Sequence, residues 1–350
     1  TGLRQSNIQV VKLGAKKTGE LTGLLHETLA YTSTTQEFQE PCGSMSKMMY
    51  NVANAAVSER LVPLNLQQPF SMRAPGEATG SFALECAMDE LAWKLKIDPV
   101  QFRIKNDTQE DLSQEKPFSS RLLVECLTIG ADEFGWSKRQ QKPRANKKGN
   151  WLIGYGVSAA ARAAPFNETH AKVLLNLTND TVTATLQMDA TDIGTGSYTI
   201  LAQTVSDCFN VPLEQVVVEL GDSDFPITPG SGGSWGAASY CNGAKSACDN
   251  AIAGLKKNRN VPKDEDVSIA ELLKMNQITS YESQSLAKPD SEFKKHSIFS
   301  FGANFTEVWV DKDTAMYKIK RMVNVGSAGK ILNPKTAYGQ VIGGLTMGAG

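Results

Sequence analysis

Three glycine-dense stretches are the parts of this sequence best suited to chemistry: Gly194/Gly196, then Gly230/Gly232/Gly233/Gly236, then Gly339/Gly343/Gly344/Gly348. Glycine lets successive backbone N–H groups converge on an anion, and a helix that follows adds a favourable dipole. The first stretch stands between a predicted strand and a predicted helix, which is what an anion site needs. The second adds Ser231 and Ser234 as hydroxyl donors. Tight turns between packed elements use the same residues, so spacing alone leaves both uses open.

The segment Gly194-Thr195-Gly196-Ser197-Tyr198-Thr199 also reads as a dinucleotide fingerprint with Thr in place of the third glycine. Glu219 follows Gly196 by 23 residues, near the spacing of a ribose-binding acid. Against that reading, the missing glycine would crowd helix against strand, and the second glycine-rich loop would have no role. Other chemistries find no support. There is no Ser-His-Asp set, HExxH or Walker loop. The cysteines at 42, 86, 126, 208, 241 and 248 form no CxxC and no Cys/His cluster, and His26, His170 and His296 are far apart. Cys86 and Cys208 fall inside apolar helical patterns, where a reduced thiol acts as a small hydrophobe. Asp222 and Asp224 flank a turn and read as solvated.

The elements that must position these loops follow from periodicity. Residues 5–40 read as short strands, and Met45, Met48, Met49, Val52 and Ala56 recur at helical spacing over 44–57. A Pro- and Gly-containing loop, QQPFSMRAPGEATG, feeds an amphipathic helix with Leu84, Met88, Leu91 and Leu95 on one face. Asp98-Pro99 supplies an N-cap and an N1 proline for a further short helix. Residues 138–148 carry Lys138, Arg139, Lys142, Arg144, Lys147 and Lys148 with no acid, and read as a solvated linker. Beyond it, TVTATLQM alternates strictly as a half-buried strand. The next helix turns Ile200, Leu201, Thr204, Val205 and Cys208 inward, and 215–220 is a second strand. Residues 255–296 read as polar helix and loop. EVWVDKDTAMYKIKRMVNV reads as a hairpin turning at Asp311–Asp313, and Asn333-Pro334 caps a final helix.

Length and charge bound the rest. At about 150 residues per domain, 350 residues suggest two domains. A net charge of -1 gives no electrostatic footprint for a nucleic acid or a membrane surface. No apolar run approaches the roughly 18 residues of a spanning helix, and the first residues show no signal pattern. These patterns describe an α+β protein with several anion-cradling loops.

Four strings then carry a resemblance: SMRAPGEATGSFALECAMDELAWKLKIDPVQFRIKN, DATDIGTGSYTILAQ, PGSGGSWGAAS and ILNPKTAYGQVIGG. In order and approximate spacing they resemble the molybdopterin-binding large subunit of the xanthine oxidase/aldehyde oxidase family, and bacterial aldehyde oxidoreductases most of all. The resemblance covers nearly the whole chain. It implies two elongated molybdenum-cofactor-binding domains of mixed sheets and helices. The first ends at 137, a linker runs over 138–150, and the second occupies 151–350 and is incomplete at its C-terminus.

The resemblance also implies the site. Molybdenum would be held by the pterin dithiolene with no protein side-chain ligand, and the pterin extended to a cytosine dinucleotide. Gly194, Thr195, Gly196, Ser231, Gly232, Gly233 and Ser234 match pterin and phosphate contacts, and Gln340 matches a glutamine near the metal. Arg73, Ala74, Pro75 and Gly76 match the loop beside the molybdenum, with Pro75 facing substrate. GYGVSAAARAAPF matches part of the substrate pocket, where Arg162 replaces the aromatic of xanthine-type enzymes. Arg162 is either an ion-paired arginine or a stabiliser of an oxyanion. The implied reaction converts aldehydes, aromatic ones in particular, to carboxylic acids with water-derived oxygen. Electrons would pass to Fe–S clusters and FAD on partner subunits. Hydroxylation of an N-heterocycle and a cofactor-free scaffold are the rival readings. Departures are clear. The family's base glutamate would lie beyond Gly350 and its N-terminal domain before Thr1, and Asn304 stands at a usual histidine position. The 350 residues alone are therefore expected to be inactive. The compartment is the cytoplasm or the periplasm, with the cytoplasm favoured.

Overall fold

A computed structural model of the chain describes residues 3–350 and divides it into two compact units. The first takes the chain through Ala163, Lys295–Gly329 and Val341–Gly350; the second takes Ala164–Lys294 and Lys330–Gln340. Both mix helices with open sheets. Among the described residues no helix is long and apolar enough to cross a membrane.

The first unit holds a three-stranded sheet ordered Asn7–Ala15, Leu21–Ser33, Ala55–Leu64, its first pair antiparallel and its second parallel. It also holds a four-stranded antiparallel sheet ordered Tyr317–Ser327, Phe299–Asp311, Trp151–Ala163, Lys147–Lys148. The helix Glu77–Leu95 buries Leu84, Met88 and Ala92 in one core with Val157, Ala159, Ala161, Phe301 and Phe305. That shared core puts the strand Trp151–Ala163 in this unit. The expected linker at 138–150 thus lies within the unit, and Lys147–Lys148 pairs with Leu152 and Trp151. Asp98 caps the helix Pro99–Lys105 as its sequence suggests, accepting from the Val100 and Gln101 amides.

The methionine stripe is a correction. Its helix spans only Ser44–Met48. The Asn51 N–H bonds to Asn106 O, and the Leu24 N–H bonds to Asn54 O, which draws the chain into the parallel strand that contains Ala56. Met45, Met48 and Met49 are buried nonetheless. Cys86 is a second correction. It stands exposed on its helix, while Cys208 is half-buried and all six thiols are free.

The second unit is a four-stranded sheet ordered Val216–Leu220, Thr181–Met188, Thr169–Thr178, Ser280–Ala287, with only the first pair parallel. Val182, Ala184, Leu186 and Met188 are buried, as the alternation requires. The helix Ser197–Phe209 is the crossover between the parallel strands, and Gly236–Asn258 packs Ala244, Ala247, Cys248 and Ala251 into the same core. The edge strand Ser280–Ala287 was not visible within the polar stretch 255–296. It buries only Ser283 and Ala287, so it carries no apolar alternation.

A buried ionic cluster ties the first unit together. Arg103, fully buried, donates from Nε to Glu85 Oε2 at 2.7 Å and from Nη2 to Glu85 O at 3.2 Å, and its Nη1 lies 2.7 Å from Asp89 Oδ1. Tyr50 donates to Glu85 Oε1 at 2.6 Å, and the Ala159 N–H to Glu85 Oε2 at 2.7 Å. Burial alone would lower the Arg103 pKa, but Glu85, Tyr50 and Asp89 outweigh it, so the guanidinium stays charged. Burial, with Glu85 beside it, raises Tyr50 well above its usual value. Removing the Glu85 carboxylate leaves a buried cation short of its partner, so Glu85→Ala is expected to cost about 3–5 kcal/mol. A lower urea midpoint at unchanged m-value is the readout.

His26 makes a pH prediction. It is fully buried, with Nδ1 2.7 Å from Ser46 Oγ and Nε2 2.8 Å from Gln9 Oε1. Burial lowers its pKa below the ordinary 6.5. The unfolded chain therefore takes up a proton, as pH falls through 6.5, that the folded chain refuses, and stability is lost in that direction. Thermal melts between pH 7.5 and about pH 5 should show a steeper fall for the wild type than for His26→Gln.

Candidate functional site

In the first unit the segment Arg73–Gly76 leads into the helix Glu77–Leu95 and is fixed by residues far from it in sequence. Arg4 Nη2 donates to Arg73 O at 2.6 Å, and Arg4 Nη1 lies 3.1 and 3.2 Å from the two oxygens of the buried Glu40. Glu40 Oε2 in turn accepts from the Gly76 N–H at 3.3 Å and from Thr79 Oγ1 at 3.5 Å. Thr79 Oγ1 also lies 3.2 Å from the buried Cys42 Sγ, whose pKa is raised by burial. Ala74 and Gly76 have φ of 52° and 81°. A Cβ on Gly76 would sit 2.5 Å from Pro41 O, so the turn can be glycine alone.

Pro75 is half-buried, and Arg73 is exposed with its guanidinium against Gly343 of the helix Pro334–Ala349. Arg162, on the strand Trp151–Ala163, donates from Nη1 to Glu77 Oε1 at 2.5 Å. The first unit therefore brings Arg162 to the helix start that follows Arg73–Gly76. Glu77 Oε2 is buried with no hydrogen-bond partner among the described residues.

In the second unit Gly194–Gly196 forms the turn between the strand Thr181–Met188 and the helix Ser197–Phe209, with Gly196 as N-cap at φ 87°. The amides of Gly194, Thr195 and Gly196 donate to one atom, Asp192 Oδ1, at 3.0, 3.0 and 3.3 Å. Three convergent amides at the start of a 13-residue helix make an anion cradle, and here an internal carboxylate occupies it.

The second glycine loop lies beside it. Ser231 Oγ donates to Thr191 O, while Tyr240 Oη and Trp235 Nε1 donate to Gly230 O, the latter at 2.9 Å. The Ser231 proton is thus spent within the chain. Gly232 and Gly233 complete the turn, and Ser234 has φ 65°. The start of the helix Pro334–Ala349 reaches the first loop, since a Cβ on Gly196 would sit 2.8 Å from Thr336 Cγ2. Asn333 Oδ1 accepts from the Thr336 N–H at 3.0 Å, and Asn333 Nδ2 donates to Gln203 Oε1 at 3.1 Å. Gln340 stands four residues past Thr336, on the same helical face. The second unit thus brings both glycine loops and the Gln340 helix together.

Sequence reasoning missed Arg4, Glu40, Glu77, Asp192 and Thr336. Only Asp192 had a local signal, an acid two residues before a Gly-Thr-Gly turn. The rival fingerprint loses its acid, because Glu219 Oε2 already accepts from Gln187 Nε2 at 2.7 Å. Among the described residues no group of three or more His, Cys, Asp or Glu side chains is placed to hold a metal ion.

A phosphorylated cofactor fits these residues. The amide cradle demonstrably takes an anionic oxygen, and a Cβ on Gly194 would meet nothing within 4 Å, so the turn is open on that side. Residues 1–107 and 130–350 each match a family model described as a molybdopterin cofactor-binding domain. The chain is 40% identical, over 99% of its length and 48% of the relative's, to the aldehyde oxidoreductase molybdenum-binding subunit PaoC of Escherichia coli. It is 30% identical to the xanthine dehydrogenase molybdenum-binding subunit of Escherichia coli, over 97% of this chain and 49% of that one. Among solved structures, the aldehyde oxidoreductase from Desulfovibrio gigas matches with TM-score 0.80 at 22% identity, covering 98% of this chain and 39% of that one. CO dehydrogenase from Oligotropha carboxidovorans matches at 0.83 and 19% identity, covering 98% and 49%. The chain spans about half the length of the curated relatives it matches.

The turn at Gly76 makes a prediction about the scaffold. Gly76→Ala meets both a positive φ and the Pro41 backbone, and should destabilise by about 1–3 kcal/mol. Urea denaturation of Gly76→Ala against Ala78→Gly, an exposed change at the second residue of the helix, measures it.

Proposed function

Because the chain belongs to the molybdopterin cofactor-binding family that includes aldehyde oxidoreductases and xanthine dehydrogenases, we propose that the whole protein oxidises aldehydes, aromatic ones in particular, to carboxylic acids. The observation that carries this reading is the 40% identity, over 99% of the chain, to a subunit named for aldehyde oxidation. The balance is RCHO + H2O → RCOOH + 2e− + 2H+, and the bound molybdenum centre supplies the two-electron capacity. Oxygen comes from water in this reading, and electrons leave to Fe–S and FAD subunits.

The chain's own residues hold, orient and polarise. Gly194, Thr195 and Gly196 present their amides to a cofactor phosphate in place of Asp192 Oδ1. Gly232, Gly233 and Ser234 serve a second phosphate, with Ser231 closing the two loops side by side. A second glycine- and serine-rich loop beside the amide cradle suits a cofactor with more than one phosphate, which favours the cytosine dinucleotide form. By the family resemblance Gln340 would serve the cofactor near its metal, and the Pro75 ring of the Arg73–Gly76 turn would be a rigid wall to the substrate. Arg162 offers a cation to the oxygen that gains negative charge as the aldehyde carbon is attacked.

Elemental mass spectrometry of the full-length protein, purified with its companion subunits from its own host, should give about one molybdenum per large subunit. A value near zero in intact protein removes the proposal. The loaded complex should turn over benzaldehyde and leave a purine and isoquinoline unchanged. Arg162→Ala should lower kcat/KM for benzaldehyde by roughly 10²-fold, the size of a lost oxyanion donor. An unchanged value takes Arg162 out of the reaction.

A further inference from the structure

The pairing of Glu77 with Arg162 is not explained by folding alone. Glu77 pairs with it at 2.5 Å through Oε1, while Oε2 is buried without a donor among the described residues. The Glu77 side chain is 13% exposed and that of Arg162 29%. A buried carboxylate oxygen left unsatisfied is costly, and native chains rarely keep one without a use. The placement is also specific. Glu77 is the first residue of its helix, next to the Gly76 turn, and Arg162 ends the strand that faces that helix.

A second contact links the same two elements. Glu85 accepts from the Ala159 N–H. Glu77 precedes Glu85 by about 12 Å along the helix, and Arg162 follows Ala159 by about 10 Å along the strand. Helix and strand are therefore held at two points, and the Glu77 carboxylate sits where the guanidinium arrives.

We infer that Glu77 is the positioning residue for Arg162: it fixes the guanidinium at the substrate and partly neutralises it so that the carboxylate product is released. This rests on the reading of Arg162 given above. The two halves have one cause. The aldehyde is neutral and needs only an aimed N–H as charge grows on its oxygen. The product is a carboxylate, which an unpaired guanidinium binds bidentately and tightly. Glu77 lets Arg162 do the first without the second.

The test uses the loaded full-length complex with Glu77→Gln, Glu77→Ala, Arg162→Ala and the double variant Glu77→Ala/Arg162→Ala. Benzaldehyde kinetics are read together with calorimetric binding of benzoate, with molybdenum content and melting temperature alongside. Glu77→Ala should lower kcat about tenfold with little change in KM, and Glu77→Gln, which keeps an acceptor for Arg162, about threefold. Both should bind benzoate about tenfold more tightly than the wild type, since either removes the competing charge. The double variant should match Arg162→Ala in kcat and lose the added benzoate affinity.

Wild-type kcat and benzoate affinity in both Glu77 variants, with Arg162→Ala impaired, overturn the inference and leave the Arg162 reading standing. Unimpaired Arg162→Ala overturns the Arg162 reading and this inference with it. Equal loss of melting temperature and kcat in Glu77→Ala, with unchanged benzoate affinity in Glu77→Gln, marks a structural pair and also overturns it.

Discussion

The Glu85 carboxylate is the constraint on which the first unit depends. One buried acid takes hydrogen bonds from Arg103, Tyr50 and the Ala159 backbone, and so joins two helices, a loop and a strand at a single point. A buried ion pair contributes little net stability compared with apolar side chains of the same volume, because desolvation offsets most of the attraction. Its effect here is on how helix and sheet meet. The strand Trp151–Ala163 already holds its register on Phe299–Asp311, and the directional bond from the Ala159 N–H ties that sheet to the helix Glu77–Leu95, the helix whose start Arg162 meets.

The same logic governs the turn at Arg73–Gly76, which has no regular structure of its own. Its shape comes from Arg4 and Glu40, a pair whose cation reaches the Arg73 carbonyl and whose anion takes the Gly76 amide. Both ends of the turn are thus held by one ion pair, and backbone strain at Ala74, with φ 52°, is offset by those bonds rather than relieved. In the second unit the anion cradle is preorganised differently. Asp192 already draws three amides to one point, so the loop has its anion-binding shape before any phosphate arrives. A phosphate group would offer those amides several acceptor oxygens, where the carboxylate offers the single atom Oδ1.

What the sequence disclosed follows from the range of each interaction. Asp98 as an N-cap, the alternating strand Thr181–Met188 and the Gly194–Gly196 turn all declare themselves within a few residues, and the structure has them in place. The α+β class follows from such local patterns. The ion pairs do not: Arg4 and Glu40 are 36 residues apart, Arg162 and Glu77 are 85, and no periodicity links them. The strand Ser280–Ala287 stayed hidden because an edge strand with small polar residues lacks apolar alternation. The methionine stripe misled for the opposite reason, since Met45, Met48 and Met49 are buried at helical spacing although the helix ends at Met48. The basic run at 138–148 reads as a linker because charge marks solvent exposure, and core sharing between Met88, Ala159 and Phe305 places it within the first compact unit.

The strings RAPG and GTGS, by contrast, stand out in the sequence for a steric reason. A chain that binds its cofactor through backbone amides leaves no cluster of metal-binding side chains to find. It must instead bring the backbone close to a ligand or to a neighbouring element, and a Cβ forbids that approach. Gly76 lies against the Pro41 backbone and Gly196 against Thr336, each with φ above 80°. Neither position tolerates another residue without moving its neighbour. Few-residue motifs of this kind are weak singly, because any tight turn can produce one. Four of them in register constrain four separate backbone turns at once, and one architecture satisfies them all.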